Sequence, residues 1–333
     1  DELSAPLGKA RIEYFVESVP DLLDELWQDR PQIPQTPVFT IECGESRAEK
    51  LDWLRGESLS KGCDGMLLTA LDEIAWVLNV RASDIEYNPL VISYLLVTEN
   101  DVRWFVLKDE IDDPDTETAL DELASDGVVV EAYGDIESAL SELGGCRLLV
   151  DGDTLNYHLD GVMRRSAVNV LSSTSPVRLR KSVKNAVEIE GMREAHLQDG
   201  IAMEKFLYWL EKSVQADRVV SEWDAAVKLG QYRALIPGYQ GDSFETISAY
   251  GPGAALPHYI TPKTNAPCLQ PHGLYLCDSG GQYLYGTTDI TRTVPLGECT
   301  PLEREDYTLV LKGHIDLAMA VFPAGTAGCR IDA

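Results

Sequence analysis

The sequence predicts an α/β (α+β) protein built on a mixed sheet, followed by a second unit that opens with one long helix. Three observations predict it. From about residue 38 to 150, short apolar runs alternate with helix-spaced segments, the pattern of strands interleaved with helices over a sheet. From Ala186 to Lys212, apolar residues recur three and four apart. From about 234 to 298, turns and β-branched runs replace that spacing.

The elements follow in order. An amphipathic helix is expected around Ile12 to Trp27. The stretch Asp29 to Pro37 ends it, because three prolines in seven residues cannot continue a helix. Residues 1–37 therefore read as the tail of a preceding domain plus a linker. Val38–Ile41 is a short apolar run, Ser46–Leu59 a polar-faced helix, Gly65–Thr69 a buried strand and Leu71–Leu78 a helix. Leu90–Val97 and Val102–Leu107 are strands joined by Thr98-Glu99-Asn100-Asp101, a hairpin signal. Thr116–Ser125 reads as helix, Val128–Ala132 as strand, Ile136–Leu143 as helix and Cys146–Val150 as strand. The acidic run Glu110–Asp115 reads as a solvated loop. A boundary at Ser172–Pro176 closes a domain spanning 38–178, leaving 179–333 as the next. There, Met192, Ala195, Ala202, Met203, Phe206, Trp209 and Leu210 form one apolar helical stripe, read as core packing. Glu222–Ala234 and Pro301–Val321 are further helices.

The 333 residues are 44% hydrophobic and 25% charged, with no apolar run long enough for a membrane span. The net charge of −27 repels phosphate backbones, which argues against a nucleic-acid partner. Seven scattered cysteines without a CxxC pair argue against a disulfide framework or a zinc ribbon, leaving reduced thiols in a cytosol-like compartment.

The chemistry concentrates between 274 and 294. Leu274–Cys277 is an apolar strand that delivers Asp278 at its end, and Ser279-Gly280-Gly281 makes a turn. Thr288–Val294 has a period of two, so Asp289, Thr291 and Thr293 share one face. If the two strands pair antiparallel, Asp278 and Asp289 point into the same space. Two adjacent carboxylates repel, and cations remove that cost. Oxygen donors suit hard divalent ions, and two metals about 3.5–4 Å apart can activate a hydroxide and polarise a carbonyl. The competing reading is a hairpin whose aspartates cap turns or pair with Arg292.

The run Asp278-Ser-Gly-Gly-Gln-Tyr-Leu-Tyr-Gly-Thr-Thr-Asp289-Ile-Thr-Arg-Thr293 closely resembles the metal-binding hairpin of the Xaa-Pro aminopeptidases. These belong with prolidase, creatinase and methionine aminopeptidase in the pita-bread fold group. Thr69–Arg81, Asp84–Pro89, Val183–Arg193 and Leu309–Ile315 resemble the same family. The resemblance is to the cytosolic, three-domain form. It implies a creatinase-like N-terminal domain with a mixed sheet, then the first half of a pita-bread catalytic domain. It further implies that Asp278 chelates one metal, that Asp289 bridges both, and that His258 contacts substrate near the scissile bond. Two divalent ions are implied, manganese first, with cobalt or zinc as alternatives. The substrates implied are proline-containing peptides, cleaved by metal-activated hydroxide, and the assembly implied is a homodimer in the cytoplasm. Thr291 is expected to orient the Asp289 carboxylate as a supporting residue. His158, His196, His272 and His314 gain no role.

The family completes its site with a histidine, in a Gly-His-Gly-type segment, and two glutamates that follow the hairpin. No Gly-His-Gly follows Asp289 here, and His314 alone of the histidines does. The expectation is therefore a chain that is inactive by itself and relies on a C-terminal catalytic half outside it. Prolidase activity, and a non-catalytic binding or dimerisation protein of the same fold, are the two alternatives.

Overall fold

The computed structural model describes residues 23, 26–107 and 111–332. The helix expected around Ile12 to Trp27 lies outside them for all but Leu23, Leu26 and Trp27. The chain divides into two compact units, Asp1–Ile85 with Leu90–Val183, and Glu86–Pro89 with Lys184–Ala333.

In the first unit, strands β1 (Phe39–Thr40), β2 (Gly65–Leu68), β3 (Val80–Arg81), β4 (Ser93–Thr98), β5 (Val102–Val106), β6 (Val128–Ala132), β7 (Arg147–Val150) and β8 (Asn169–Ser172) alternate with helices. The helices are α1 (Arg47–Ser60), α2 (Leu71–Leu78), α3 (Pro114–Ser125), α4 (Ile136–Ser141), α5 (Tyr157–Arg165) and α6 (Pro176–Ser182). Six strands form one sheet in the order β6-β5-β4-β2-β7-β8. The pairs β5–β6, β2–β7 and β7–β8 run parallel, while β2–β4 and β4–β5 run antiparallel, so the sheet is mixed as expected.

Strand periodicity builds two cores on this sheet. Met66 and Leu68 of β2 pack with Leu51, Leu54, Ile74, Val77, Ala119 and Leu123 on one face. Leu67, between them in sequence, packs with Phe105, Leu140, Leu148, Leu159 and Met163 on the other. β2 is buried at all four positions because both its faces are covered. Helix starts follow their capping residues: Ser46 and Glu49 form a capping box on α1, Asp113 accepts from Thr116 before Pro114 at the start of α3, and Asn79 closes α2 in the left-handed region.

Two elements were not legible in the sequence. α5 has a polar composition, and β8 is an edge strand with exposed ends. Pro176 stands in the first turn of α6 behind its Ser175 cap, where a missing N–H costs nothing. The division between units falls after Val183.

The second unit is organised by α7 (Ala186–Gln215), a 30-residue helix that an Asn185–Glu188 capping box starts. Its buried stripe is Ala195, Asp199, Ala202, Met203, Phe206, Leu210, Ser213 and Val214. Met192 and Trp209 of the expected stripe are half-buried, and the stripe contains a carboxylate. Helix α8 (Glu222–Arg233) follows behind a Ser221–Asp224 capping box. Then come β9 (Tyr239–Asp242), β10 (Ile247–Tyr250), β11 (Leu274–Ser279), β12 (Gly281–Tyr283), β13 (Gly286–Thr287) and β14 (Ile290–Pro295). They form two three-stranded sheets, ordered β10-β11-β14 and β13-β12-β9. Met203, Phe206 and Leu210 of α7 pack with Ala225 and Leu229 of α8 against Tyr275 and Cys277 of β11. The last long helix, α9 (Pro301–Met319), buries none of its residues.

Among the described residues, no helix is long and apolar enough to cross a membrane. All seven cysteines are free thiols.

Candidate metal centre

The hairpin expected around the two aspartates forms, with its tip folded away. β11 and β14 pair antiparallel, with Asp278 opposite Thr291 and Ser279 opposite Ile290. The intervening β12 and β13 join the other sheet rather than prolonging this one. A glycine permits that departure. A Cβ on Gly280 would lie 2.0 Å from the Thr288 carbonyl oxygen and 2.1 Å from Ser243 Oγ, so no side chain fits where the strands diverge.

The register decides which side chains share a face. Asp278 and Thr291 are cross-strand partners, and Asp289 lies two residues before Thr291, so strand alternation puts all three on one side. This face is open: Asp278 is half-buried, while Asp289 and Thr291 are exposed. Thr291 Oγ1 donates to Asp278 Oδ1 at 2.7 Å. Thr291 was expected to orient Asp289, so its partner differs from the reading. Directly opposed residues hold their Cβ atoms about 5 Å apart, whereas two steps along one strand span about 7 Å. Arg292 donates to the Thr291 carbonyl at 2.7 Å. Among the described residues, no ion pair joins Arg292 to either aspartate, which leaves both carboxylates without a cation of the protein's own.

The opposite face is closed. Ser279 and Thr288, adjacent in sequence to the two aspartates, are 0% and 1% exposed. Arg233, at the end of α8, is fully buried and donates to both oxygens of Asp199 on α7, at 2.7 and 3.1 Å. The same guanidinium donates to Ser279 Oγ at 3.0 Å and to the Gly280 carbonyl at 3.1 Å. Asp199 also accepts from Thr288 Oγ1 at 2.9 Å and from the Tyr283 hydroxyl at 2.8 Å. Thr288 Oγ1 in turn accepts from the Gly281 N–H at 2.9 Å. Burial pushes the Asp199 carboxyl up, but the donors of Arg233, Tyr283 and Thr288 outweigh it, and the net direction is below the ordinary carboxylate value. Burial and the Asp199 carboxylate push the Tyr283 phenol far up, so it stays a donor.

Sequence reasoning missed this pair. A signal existed, since Asp199 occupies the helical stripe between Ala195 and Ala202, where a charge stays only with a partner.

Two nucleophilic side chains beside Asp278 are out of play. Burial pushes the Cys277 thiol up to about 11, so it stays protonated at neutral pH. Ser279 is sealed from solvent.

His258 sits, exposed, in the loop that follows the turn Gly251–Ala255. Among the described residues, no hydrogen bond ties it to Asp278 or Asp289. Its neighbour Tyr259 donates to Glu222 Oε2 at 2.7 Å, and Glu222 Oε1 accepts the Tyr250 N–H at 2.7 Å. Glu222 is itself 0% exposed, so a buried carboxylate anchors the loop that carries His258. Burial and this hydrogen bond push the Tyr259 phenol up to about 12.

Two carboxylates on one open face, free of internal cations, fit hard divalent ions as part of a donor set. Among the described residues, no group of three or more histidines, cysteines, aspartates or glutamates is arranged to hold a metal.

Two family models cover most of the chain. The creatinase/prolidase N-terminal domain matches residues 29–188, and metallopeptidase family M24 matches residues 190–333. A mixed-sheet domain ahead of this helix-and-hairpin unit is that two-domain layout. Residues 190–333 thus carry a metallopeptidase family M24 domain, behind a creatinase/prolidase N-terminal domain. The chain is 40% identical over 334 residues to a probable Xaa-Pro aminopeptidase P of Coccidioides posadasii (strain C735), covering 95% of this chain and 50% of that protein. It is 38% identical over 342 residues to another of that name from Verticillium alfalfae, covering 99% and 55%. Among solved structures it matches X-prolyl aminopeptidase from Caenorhabditis elegans, described as a cytosolic enzyme with a di-nuclear active site. That match has a TM-score of 0.87 at 34% identity and covers 98% of this chain and 54% of that one. An Xaa-Pro dipeptidase from Bacillus anthracis shares the fold, with a TM-score of 0.65 at 22% identity. The chain spans about half the length of the curated relatives it matches.

Proposed function

We propose that this chain is part of a metal-dependent aminopeptidase that releases the N-terminal residue from Xaa-Pro peptides. The observation that supports the proposal is the register of β11 against β14, in which Asp278 faces Thr291, two residues after the exposed Asp289, and among the described residues no ion pair engages either aspartate. The relatives named Xaa-Pro aminopeptidase P supply the substrate class. Asp278 and Asp289 would hold two divalent ions, manganese before cobalt or zinc, together with further donors. Bound there, the ions would lower the pKa of a water and polarise the scissile carbonyl.

This chain's own residues would do the rest. Thr291 keeps one Asp278 oxygen oriented by its hydrogen bond. His258, on the loop that Glu222 anchors, would donate to the substrate carbonyl and to the oxyanion that forms from it. Ser279 and Cys277, buried beneath, would take no part as nucleophiles. Proline's tertiary amide and fixed φ exclude ordinary peptidases, which leaves such bonds to a dedicated pocket. We further propose a homodimer in the cytoplasm, and domains divided near 38 and 178.

The test is hydrolysis by the natural full-length protein loaded with manganese, offered Xaa-Pro-Pro tripeptides and bare Xaa-Pro dipeptides. Release of the first residue from the tripeptides is expected, with loss of activity in Asp278→Asn. Hydrolysis of the dipeptides alone would reject this reading in favour of a prolidase.

A further inference from the structure

Besides Tyr283 and Asp242, the buried ion pair beneath the hairpin touches the residues next to both aspartates of the open face above it. Strand alternation makes Ser279 the underside of the position beside Asp278, and Thr288 the underside of the position beside Asp289. Arg233 holds Ser279 Oγ and the Gly280 carbonyl, and Asp199 holds Thr288 Oγ1. The two ends are locked to each other by two parallel N–H···O bonds, the forked geometry that fixes orientation as well as distance. Ser243 closes the frame, donating its hydroxyl to the Thr288 carbonyl at 2.8 Å and its N–H to the Gly280 carbonyl at 3.1 Å.

We propose that Asp199 and Arg233 are positioning residues for the metal centre: one buried ion pair, carried on two helices, sets the separation of Asp278 and Asp289 through Ser279 and Thr288. The inference rests on the function proposed above. It extends that reading to a specific device, because an ion pair serving the fold alone has no need to engage both strands at the residues beside the carboxylates. A lysine in place of Arg233 lacks the fork and cannot hold Asp199, Ser279 and Gly280 together.

The experiment severs the links and leaves the pair in place. Thr288→Val and Ser279→Ala, with Thr288→Ser as the conservative rescue, are made in the natural full-length protein. Manganese affinity is measured by calorimetric titration, kcat and KM on an Xaa-Pro-Pro peptide, and folding by circular dichroism and thermal melting. Thr288→Val is expected to weaken manganese binding by about tenfold or more and to lower kcat, with KM within about twofold of wild type. Thr288→Ser is expected to restore both. Ser279→Ala, a smaller deletion, is expected to act in the same direction and serves if Thr288→Val does not fold. A folded Thr288→Val or Ser279→Ala protein that binds manganese as tightly as wild type overturns the inference and leaves the pair a purely structural feature. If the wild-type protein binds no divalent ion, the proposed function itself falls, and this inference falls with it.

Discussion

Thr291 Oγ1 donates to Asp278 Oδ1 at 2.7 Å across the β11–β14 pair, so one strand orients the carboxylate that the other presents. Removing that donor frees the carboxylate to rotate but leaves an exposed site unstrained. Thr291→Val is expected to change unfolding free energy by no more than about 0.5 kcal/mol. Its manganese affinity in the full-length protein is expected to fall about tenfold. Calorimetric titration reads the second quantity and urea unfolding the first.

The Asp199–Arg233 pair gives a sharper stability effect. Asp199→Asn takes the forked anion from a fully buried guanidinium and leaves it Asp242 alone at 3.9 Å, a change that costs about 3 kcal/mol. Urea denaturation measures the loss, and replacing both residues with apolar side chains should recover part of it, since the unpaired charge is gone.

The pH dependence of stability has opposite signs in the two units. In the fold, the Asp199 carboxyl lies below its ordinary value, so its contribution is complete above about pH 4 and is lost as pH falls further. The wild type should show an acid limb that Asp199→Asn lacks. Burial pushes Glu73 up, and neighbouring Asp72 and Asp151 reinforce this against the Ser175 hydrogen bond. The fold therefore holds that proton more tightly than the unfolded chain does. Stability from Glu73 is complete at low pH and declines as pH rises through the ordinary glutamate value and the raised one. Glu73→Gln should flatten that decline. Melting temperature against pH for the two variants reads both.

Gly280→Ala forces a methyl group to within 2.0 Å of one backbone oxygen and 2.1 Å of Ser243 Oγ. The backbone must move at the point where β11 leaves its sheet. A loss of about 1–3 kcal/mol is expected in urea unfolding, with a parallel loss of manganese affinity.

Residues 1–333 expressed alone should release no amino acid from an Xaa-Pro-Pro peptide, because the open face provides two carboxylate donors and the described residues provide no third cluster member. A fluorogenic Xaa-Pro-Pro assay on purified residues 1–333 measures this. A sustained rate would end the two-donor account.

Much of this was legible from period alone. The β-branched run Thr288–Val294 marked the strand that forms as Ile290–Pro295, and helix spacing located α7 within three residues of its end. What period cannot give is the partner across a gap. Thr291 pairs with Asp278 rather than Asp289 because register places it directly opposite, and register is set by where the chain turns. Asp199 and Arg233 are 34 residues apart on separate helices, so their mutual contact follows from packing alone. α5 was missed although Leu159, Val162 and Met163 make an apolar stripe at helical spacing, because nine mostly polar residues give that stripe barely two turns; β8 was missed because it lies at a sheet edge.

The division of the hairpin into a sealed underside and an open upper side has a practical meaning for redesign. Residues that anchor the strands and residues that meet solvent alternate along the same few positions. An engineer can therefore exchange Asp278, Asp289 or Thr291 without loosening the scaffold beneath them.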